Sequence, residues 1–322
     1  MKSKLLLVIV TILLSCLKSN YGQAPNLGAA SGFALFTATG AFNNTGATSI
    51  AGNIGSNSAS VTGFPPGVVT GTIYNPPDAT LAQAATDVGT AYGYLSTLGG
   101  SVLDVLLGNG QTLTPGIYNT GAASTLNGNL TLDGGGNPDA LFIIRIGGAF
   151  ATGAASNVIL TGSASLCNVY WQIGGQFNLG AGSVFRGTVI VDGAINLLEG
   201  STLHGRGLSR AGAISLYNNL VDFLPSAAEN ITGIATVCQG QTGISYTVTE
   251  LNNATGYNWT LPTGATITSG VNTNSIIVNF SITASSGNIS VYGTNACGNG
   301  TVSPNYTLII SPPPPTSAIY HH

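Results

Sequence analysis

Short runs of alternating apolar and polar residues, ending at glycines, make up most of this chain. One pattern recurs between residue 24 and about residue 225: a small turn, a hydroxyl side chain, an apolar residue two positions later, and then a glycine. Successive serines of the pattern stand at positions 124, 156, 183 and 201, so one repeat takes 18 to 32 residues. Repeats of this length with glycine corners predict a mostly β protein, a β-helix whose coils stack on one another.

The repeat predicts two columns of side chains, because successive residues of a strand point to opposite faces. The apolar column is expected to point inward and to stack as a ladder of Ile50, Leu126, Val158, Phe185 and Leu203. The hydroxyl column is expected to point outward, and its members are Thr48 or Ser49, Ser124, Ser156, Ser183 and Ser201.

The segment from Asp78 to Leu98 departs from the β pattern. Its apolar residues recur at steps of three and four, at Leu81, Ala85, Val88, Tyr92 and Leu95. This spacing predicts a helix with one apolar face. We expect the helix to lie along one side of the solenoid and to cover an apolar face, while residues 57–75 form a loop or cap at one end.

Shorter alternating runs separated by turn-rich stretches follow Pro225. They predict a small β-sandwich at 226–311, after the solenoid at 23–225. Cys238 and Cys297 lie near the two ends of this second half, and we expect them to form a disulfide bond. Residues 312–322 are interpreted as a Pro-rich linker and tail.

The N-terminus has the charged, apolar and polar regions of a secretory signal in their usual order. The apolar run from Leu5 to Leu14 is too short to span a bilayer, which needs about 20 residues. We therefore predict a signal peptide at 1–22 and a secreted, extracellular protein with no transmembrane segment. As an alternative, residues 13–16 resemble a lipobox, which would leave a lipidated Cys16 as a tether to the cell surface.

Charged residues make up only 5% of the chain, against about 25% in an ordinary globular protein. After the signal no lysine remains, and the fixed cations are Arg145, Arg186, Arg206 and Arg210. Four arginines cannot neutralise the phosphates that nucleic-acid binding requires. Carboxylates are scattered and His204 is the only histidine before the terminal pair. We therefore predict no enzyme, no metal site and no cofactor.

The hydroxyl column itself remains as a candidate functional feature. Stacked strands lie about 4.8 Å apart, so one hydroxyl per coil gives a regular array that can order water. Serine and threonine ladders also stabilise any β-solenoid. The residue pattern alone favours neither interpretation over the other.

Residues from about 27 to 224 closely resemble the DUF3494-type ice-binding domain of bacteria and fungi. The resemblance is carried by the segments 31–36 (SGFALF), 52–56 (GNIGS), 113–118 (LTPGIY), 140–145 (ALFIIR), 169–175 (VYWQIGG), 185–190 (FRGTVI) and 204–208 (HGRGL). It implies an irregular right-handed β-helix with a long flanking helix and a capping insertion. The second half is similar to PKD-like or immunoglobulin-like modules.

Family members use a flat solenoid face with a loose T-A/G-x-T/N pattern, which residues 45–48 fit fully. The resemblance implies a secreted, monomeric antifreeze protein that adsorbs to ice through this face and inhibits ice growth and recrystallisation. The alternative is an adhesive or structural surface module that binds a glycan or another cell. The implied ice-binding residues are Thr45, Thr48, Thr120, Ser124, Thr152, Ser156, Ser183, Ser201 and Thr202.

Overall fold

The computed structural model describes residues 22–312. Most of the predicted signal peptide, including Cys16, and nearly all of the predicted tail lie outside the described residues. The chain divides into two compact units between Val221 and Asp222, and each unit is described by itself. No helix within residues 22–312 is both long and apolar enough to cross a membrane.

The first unit combines many short strands with the helix α1 (Ala79–Thr97). Its strands are β1 (Phe33–Thr37), β2 (Phe42–Thr45), β3 (Ser49–Ala51), β4 (Asn53–Ser56), β5 (Val61–Thr62), β6 (Val68–Thr70), β7 (Ile73–Tyr74), β8 (Ser101–Val102), β9 (Leu106–Gly108), β10 (Gln111–Leu113), β11 (Gly116–Asn119), β12 (Ser124–Asn127), β13 (Asn129–Asp133), β14 (Phe142–Ile146), β15 (Phe150–Thr152), β16 (Asn157–Thr161), β17 (Val169–Ile173), β18 (Phe177–Leu179), β19 (Val184–Val191), β20 (Ile195–Leu197), β21 (Thr202–Ser209), β22 (Ile214–Tyr217) and β23 (Leu220–Asp222).

These strands form three parallel faces around one core, which confirms the predicted solenoid. The first face has the order β5-β2-β22-β20-β18-β15-β12-β9. The second runs β6-β3-β23-β21-β19-β16-β13-β10, and the third runs β7-β4-β1-β21-β19-β17-β14-β11-β8. β19 and β21 contribute to both of these faces and bend between them at Gly187 and Gly205. A Cβ on Gly205 would lie 1.9 Å from the carbonyl oxygen of Gly187, so this corner requires glycine.

The coils are not stacked in sequence order. The N-terminal coil pairs with the last one, since β1 lies beside β21, β2 beside β22 and β3 beside β23. After β7 the chain passes through α1 and begins again at the far end of the sheets with β8. A helix of 19 residues is about 28 Å long, which is close to six strand spacings. The helix therefore provides the return along the solenoid.

The helix begins and packs as its pattern predicts. The Asp78 carboxylate caps α1 by accepting hydrogen bonds from the backbone N–H groups of Thr80 and Leu81, at 2.7 and 3.2 Å. The apolar side of α1, centred on Val88, packs on Phe36 and other buried residues of the third face. The helix therefore covers the third face and leaves the first and second faces outside its footprint.

The predicted inward ladder is confirmed in its direction, because all five residues are 1% exposed or less. Its register differs at one coil. Leu130 of β13, not Leu126 of β12, pairs with Val158 on the second face, while Phe185 pairs with Leu203 as expected. Leu126 points into the same core from the first face.

The second unit contains two sheets around a shared core, which confirms the β-sandwich. One sheet is antiparallel with the order β24-β26-β29-β28, and the other has the order β25-β32-β30-β27 with β31 beside β30. The strands are β24 (Thr232–Gly233), β25 (Thr236–Cys238), β26 (Ile244–Thr247), β27 (Gly256–Thr260), β28 (Ala265–Ser269), β29 (Ser275–Phe280), β30 (Gly287–Asn295), β31 (Gly298–Asn299) and β32 (Tyr306–Ser311). Tyr246, Val278, Val291 and Leu308 are among the buried core residues.

The expected disulfide between Cys238 and Cys297 is wrong, because Cys238 is exposed and carries a free thiol. Cys238 pairs with Ser311 of β32 beyond the start of β30, whereas Cys297 follows the end of β30. A nine-residue strand such as β30 spans about 30 Å. Disulfide bonds need Cα atoms within about 7 Å. Cys238 and Cys297 lie near the two ends of the domain in sequence, but this position does not bring them together in space.

Candidate functional site

The outer side of the first sheet, called here the open face, presents a regular row of side chains that are small except for Leu106 at one end. Strand register places these residues side by side across all eight strands. Their neighbours along each strand point into the core, as Phe42, Phe150 and Ile214 show. The row, called the central row, is Thr62, Asn43, Ser215, Asn196, Asn178, Ala151, Thr125 and Leu106.

The central row carries hydroxyls, amides and methyl groups and no charge. The Asn196 Nδ2 group donates to Asn178 Oδ1 at 2.7 Å, and the Thr62 hydroxyl donates to Asn43 Oδ1 at 2.8 Å. These contacts hold the side chains in line along the stacking direction. Each step repeats at the strand spacing of about 4.8 Å. The face is therefore a fixed, neutral array.

A second row of mostly alanine runs beside the central row. Backbone N–H groups of one coil donate to the carbonyl groups of Ala41, Ala213, Ala194, Gln176 and Ala149 on the neighbouring coil. Alanine methyls add apolar contact surface without rising above the sheet. This part of the open face is flat because its side chains are short.

The other two faces offer less to a large flat ligand. The third face is covered by α1. The second face carries Arg186 directly beside His204, in the N-terminal halves of β19 and β21. The open face therefore differs from both in being uncovered and neutral along its central row.

Only part of the predicted site lies on this surface. Thr45 is exposed at the end of β2 on the open face. Thr202 is half-buried on the second face, and Thr120 is half-buried at a corner, where its hydroxyl donates to the carbonyl of Ala122. The other six predicted ice-binding residues are buried, at 8% exposed or less: Thr48, Ser124, Thr152, Ser156, Ser183 and Ser201. The expected outward direction of the hydroxyl column is therefore wrong except at Ser49, the alternative to Thr48, which is exposed on β3.

The buried hydroxyls point inward because they satisfy the backbone of the corners. The Ser183 hydroxyl accepts from the Ser156 N–H at 3.1 Å and donates to the Gly153 carbonyl at 2.8 Å. The Thr48 hydroxyl accepts from the Asn219 N–H at 3.1 Å. Buried backbone groups at a turn need such partners, so this column belongs to the framework of the solenoid.

Ser124 also lies at a different corner from the serines with which the sequence pattern aligned it. Asn129 pairs with Asn157, which places Gly128 opposite Ser156. Ser124 instead begins β12 and pairs with Phe150. The residue that corresponds to Ser156 is therefore Gly128, four residues after Ser124. The shift arises because strands and turns have different lengths in this coil.

None of the central-row residues is among those predicted from the sequence, although a signal for the row exists. A large core residue precedes a small neutral residue in Phe42-Asn43, Phe177-Asn178, Ile195-Asn196, Ile214-Ser215 and Phe150-Ala151. This pairing recurs once per coil, on the strand that precedes the serine corner. The repeat predicted from the sequence follows the serine corners and does not include this pairing.

Within the first unit, the titratable groups whose pKa values shift lie away from the open face. In the first unit, burial raises the pKa of Tyr170 and lowers that of Arg206 to about 10. Both belong to strands of the third face, where the Arg206 Nε group donates to the Ser31 carbonyl at 3.0 Å. Burial also raises the pKa of Tyr92 on α1, with a further contribution from Asp192. The residues whose pKa values shift therefore have structural roles.

The fold and its open face define a β-solenoid with a neutral surface array, followed by a β-sandwich. Residues 36–222 match the ice-binding-like family, and residues 224–308 match the PKD-like domain. The chain belongs to the ice-binding-like family, of the DUF3494 type, as the resemblance implied.

Curated relatives and solved structures cover the solenoid. The chain is 38% identical over 199 residues to an ice-binding protein of Nostoc sp., covering 61% of this chain and 72% of the relative. It is 31% identical over 213 residues to one of Flavobacterium frigoris, covering 61% and 75%. A crystal structure of an ice-binding protein from an Antarctic Flavobacteriaceae bacterium is 43% identical with a TM-score of 0.60, covering 62% of this chain and 47% of that chain. For the ice-binding protein of Antarctomyces psychrotrophicus the identity is 36% and the TM-score 0.59, covering 62% and 98%.

Proposed function

We propose that this protein binds ice through the open face and thereby restrains ice growth and recrystallisation. The observation that carries the proposal is the central row, which places one short neutral side chain on each of seven adjacent strands, with Leu106 on the eighth. The names of the relatives, all ice-binding proteins, support it. The family match covers the domain that carries this face.

The chemistry of the open face suits an ordered water surface. Hydroxyl and amide groups, as in Thr125 and Asn43, can hydrogen-bond waters of an ice layer, while methyls such as that of Ala151 contact it without competing for them. Charged groups would hold hydration shells of their own in other orientations. Because the sheet rests on a close-packed core, adsorption orders few protein groups, and this lowers its entropic cost.

This function requires binding and no chemical transformation. We therefore propose a non-enzymatic protein that acts without a cofactor, as a secreted monomer. The apolar N-terminal segment at 1–22 supports secretion, since it has the region order of a signal peptide. Tethering through Cys16 remains the alternative route to the same extracellular location.

The test compares thermal hysteresis and ice recrystallisation inhibition of the full chain with those of Thr125→Tyr. Thr125 is exposed within the central row, so a tyrosine there would hold ice away from its neighbours. We expect both activities to be lost and the unfolding temperature to be unchanged. Thr112→Tyr, at an exposed site of β10 on the second face, is the matched control and should keep full activity. Activity retained in Thr125→Tyr, or absent from the unmodified protein, would overturn the proposal.

A further inference from the structure

A groove on the open face has part of the central row as one of its sides. It has a volume of about 510 Å³ and is lined by Asn178, Asn196 and Ser215 on one side and by Leu198, Glu199 and Tyr217 on the other, with Thr45 also at the lining. Ligand pockets are commonly about 300 to 1,000 Å³ in volume. The groove is therefore large enough for a small organic ligand.

Two large side chains form the raised wall of this groove. Tyr217 pairs with Thr45 on one side, and the pairing of Leu216 with Leu197 places Tyr217 beside Leu198 on the other. Tyr217 is 46% and Leu198 47% exposed. Single exposed apolar residues are common on protein surfaces, but these two are adjacent and line the same groove. Neither continues the array of short side chains.

The opposite wall supplies hydrogen-bonding groups in fixed positions. Because Asn196 Nδ2 donates to Asn178 Oδ1, the remaining atoms Asn178 Nδ2 and Asn196 Oδ1 present one donor site and one acceptor site. The hydroxyls of Ser215 and Thr45 lie on the same lining. Both hydroxyls can either donate or accept.

Glu199 provides a carboxylate that is already oriented. Its Oε1 and Oε2 atoms accept hydrogen bonds from Asn218 Nδ2 at 3.0 and 3.3 Å. A carboxylate has further acceptor capacity beyond these two contacts. No Lys or Arg is among the residues that line the groove within the described chain. The groove therefore disfavours phosphate, sulfate and uronate groups.

We propose that this groove also binds a neutral oligosaccharide, at a site that shares Asn178, Asn196 and Ser215 with the central row. The Tyr217 ring offers an apolar face with a polar tip, against which the C–H face of a sugar ring can pack. The amides of Asn178 and Asn196 and the Glu199 carboxylate supply planar donors and acceptors for sugar hydroxyls. A sugar presents this combination of an apolar ring face and a rim of hydroxyls.

The test measures binding of the full chain to an array of neutral oligosaccharides made of glucose, mannose, galactose or xylose units, with sulfated and uronate-containing oligosaccharides as comparators. Titration calorimetry then gives the affinity of the best neutral probe. Tyr217→Ala and Glu199→Gln should each lower the affinity at least tenfold. Tyr217→Phe retains the ring and should bind nearly as well as the unmodified protein.

Thr125→Tyr tests the two activities separately, because Thr125 does not line the groove and lies two strands beyond Asn178 on the central row. We expect it to lose ice activity and to keep saccharide affinity. Binding to no neutral saccharide, stronger binding to acidic probes, or equal affinity in the folded Tyr217→Ala and Glu199→Gln variants would overturn the saccharide site. Each of these results leaves the ice measurement unaffected, so the two proposals fail separately.

Discussion

The Ser183 hydroxyl accepts a hydrogen bond from the backbone N–H of Ser156, one coil away, at 3.1 Å. The Thr152 hydroxyl also donates to it at 3.3 Å, and Thr152 itself accepts from the Gly180 N–H at 2.8 Å. The hydroxyl side chains of Ser183 and Thr152, which the sequence pattern suggested were exposed, are thus buried and hydrogen-bond neighbouring coils to each other. These hydroxyls contribute to the stability of the solenoid, and the side chains proposed to face ice are those of the central row.

Replacement of Ser183 by alanine should therefore weaken the fold without changing the open face. It leaves the buried N–H of Ser156 without this partner, which costs about 1–3 kcal/mol of unfolding free energy. Urea unfolding of the full chain measures this change. Thr125→Ala, on the exposed central row, should change stability by less than about 0.5 kcal/mol. Equal stability of the two variants would contradict the bracing role.

Removal of the raised wall should improve ice adsorption. Tyr217 is 46% exposed and forms the part of the wall beside Thr45, so Tyr217→Ala extends the flat area towards Thr45. We expect higher thermal hysteresis at equal protein concentration. A loss of activity in the folded variant would instead show that the Tyr217 ring contacts ice.

The sandwich should lose stability at high pH because of Tyr246. Burial raises the pKa of Tyr246 from 10.0 to about 12, and its hydroxyl donates to the Ile234 carbonyl at 3.0 Å. Between these values the folded protein keeps the proton that the unfolded chain releases, so stability is full below this interval and falls as pH rises through it. The loss approaches about 1.4 kcal/mol for each pKa unit.

Urea unfolding at pH values below and above that interval measures this loss, with Tyr246→Phe as the comparison. Phenylalanine cannot ionise, so the variant should lose less stability between the two conditions. Arg206, whose pKa is also shifted, is present in both proteins and its contribution cancels. The same pH dependence in both would exclude Tyr246 as its source.

Cys238 should react with a maleimide in the native protein, because it is exposed and carries a free thiol. Mass spectrometry after labelling and proteolysis would locate the adduct. Cys238→Ser should remove the labelling and leave the unfolding temperature unchanged, as expected for an exposed position without a bridge. Unlabelled Cys238, or a large loss of stability in the variant, would argue for a bonded cysteine.

The features that depend on short-range sequence patterns were predicted correctly. The helix around Val88 follows from spacing and from the Asp78 cap, because both signals lie within one segment. The inward direction of Ile50 and Phe185 follows from strand alternation. The pairing of distant strands could not be predicted from the sequence. β1 lies beside β21 because of where the helix returns the chain, and the lengths of the coils do not encode that position.

The site was predicted less well for a specific reason. In a solenoid, a residue one position from a corner can point in or out according to where the chain turns, and coils of unequal length turn at different places. Thr45 and Thr48 illustrate this, since one is exposed on the open face and the other is 1% exposed. The family pattern includes both residues but does not distinguish their directions.

By itself, the sequence determined the neutral composition, the repeat, the helix and the family, because these depend on residue identity and short spacings. The tertiary structure alone decided which hydroxyls brace the corners and which residues form the central row. It also placed Cys238 and Cys297 at opposite ends of β30 and set Tyr217 beside Leu198. These outcomes depend on register between strands far apart in the chain, and register is fixed only when the whole core closes.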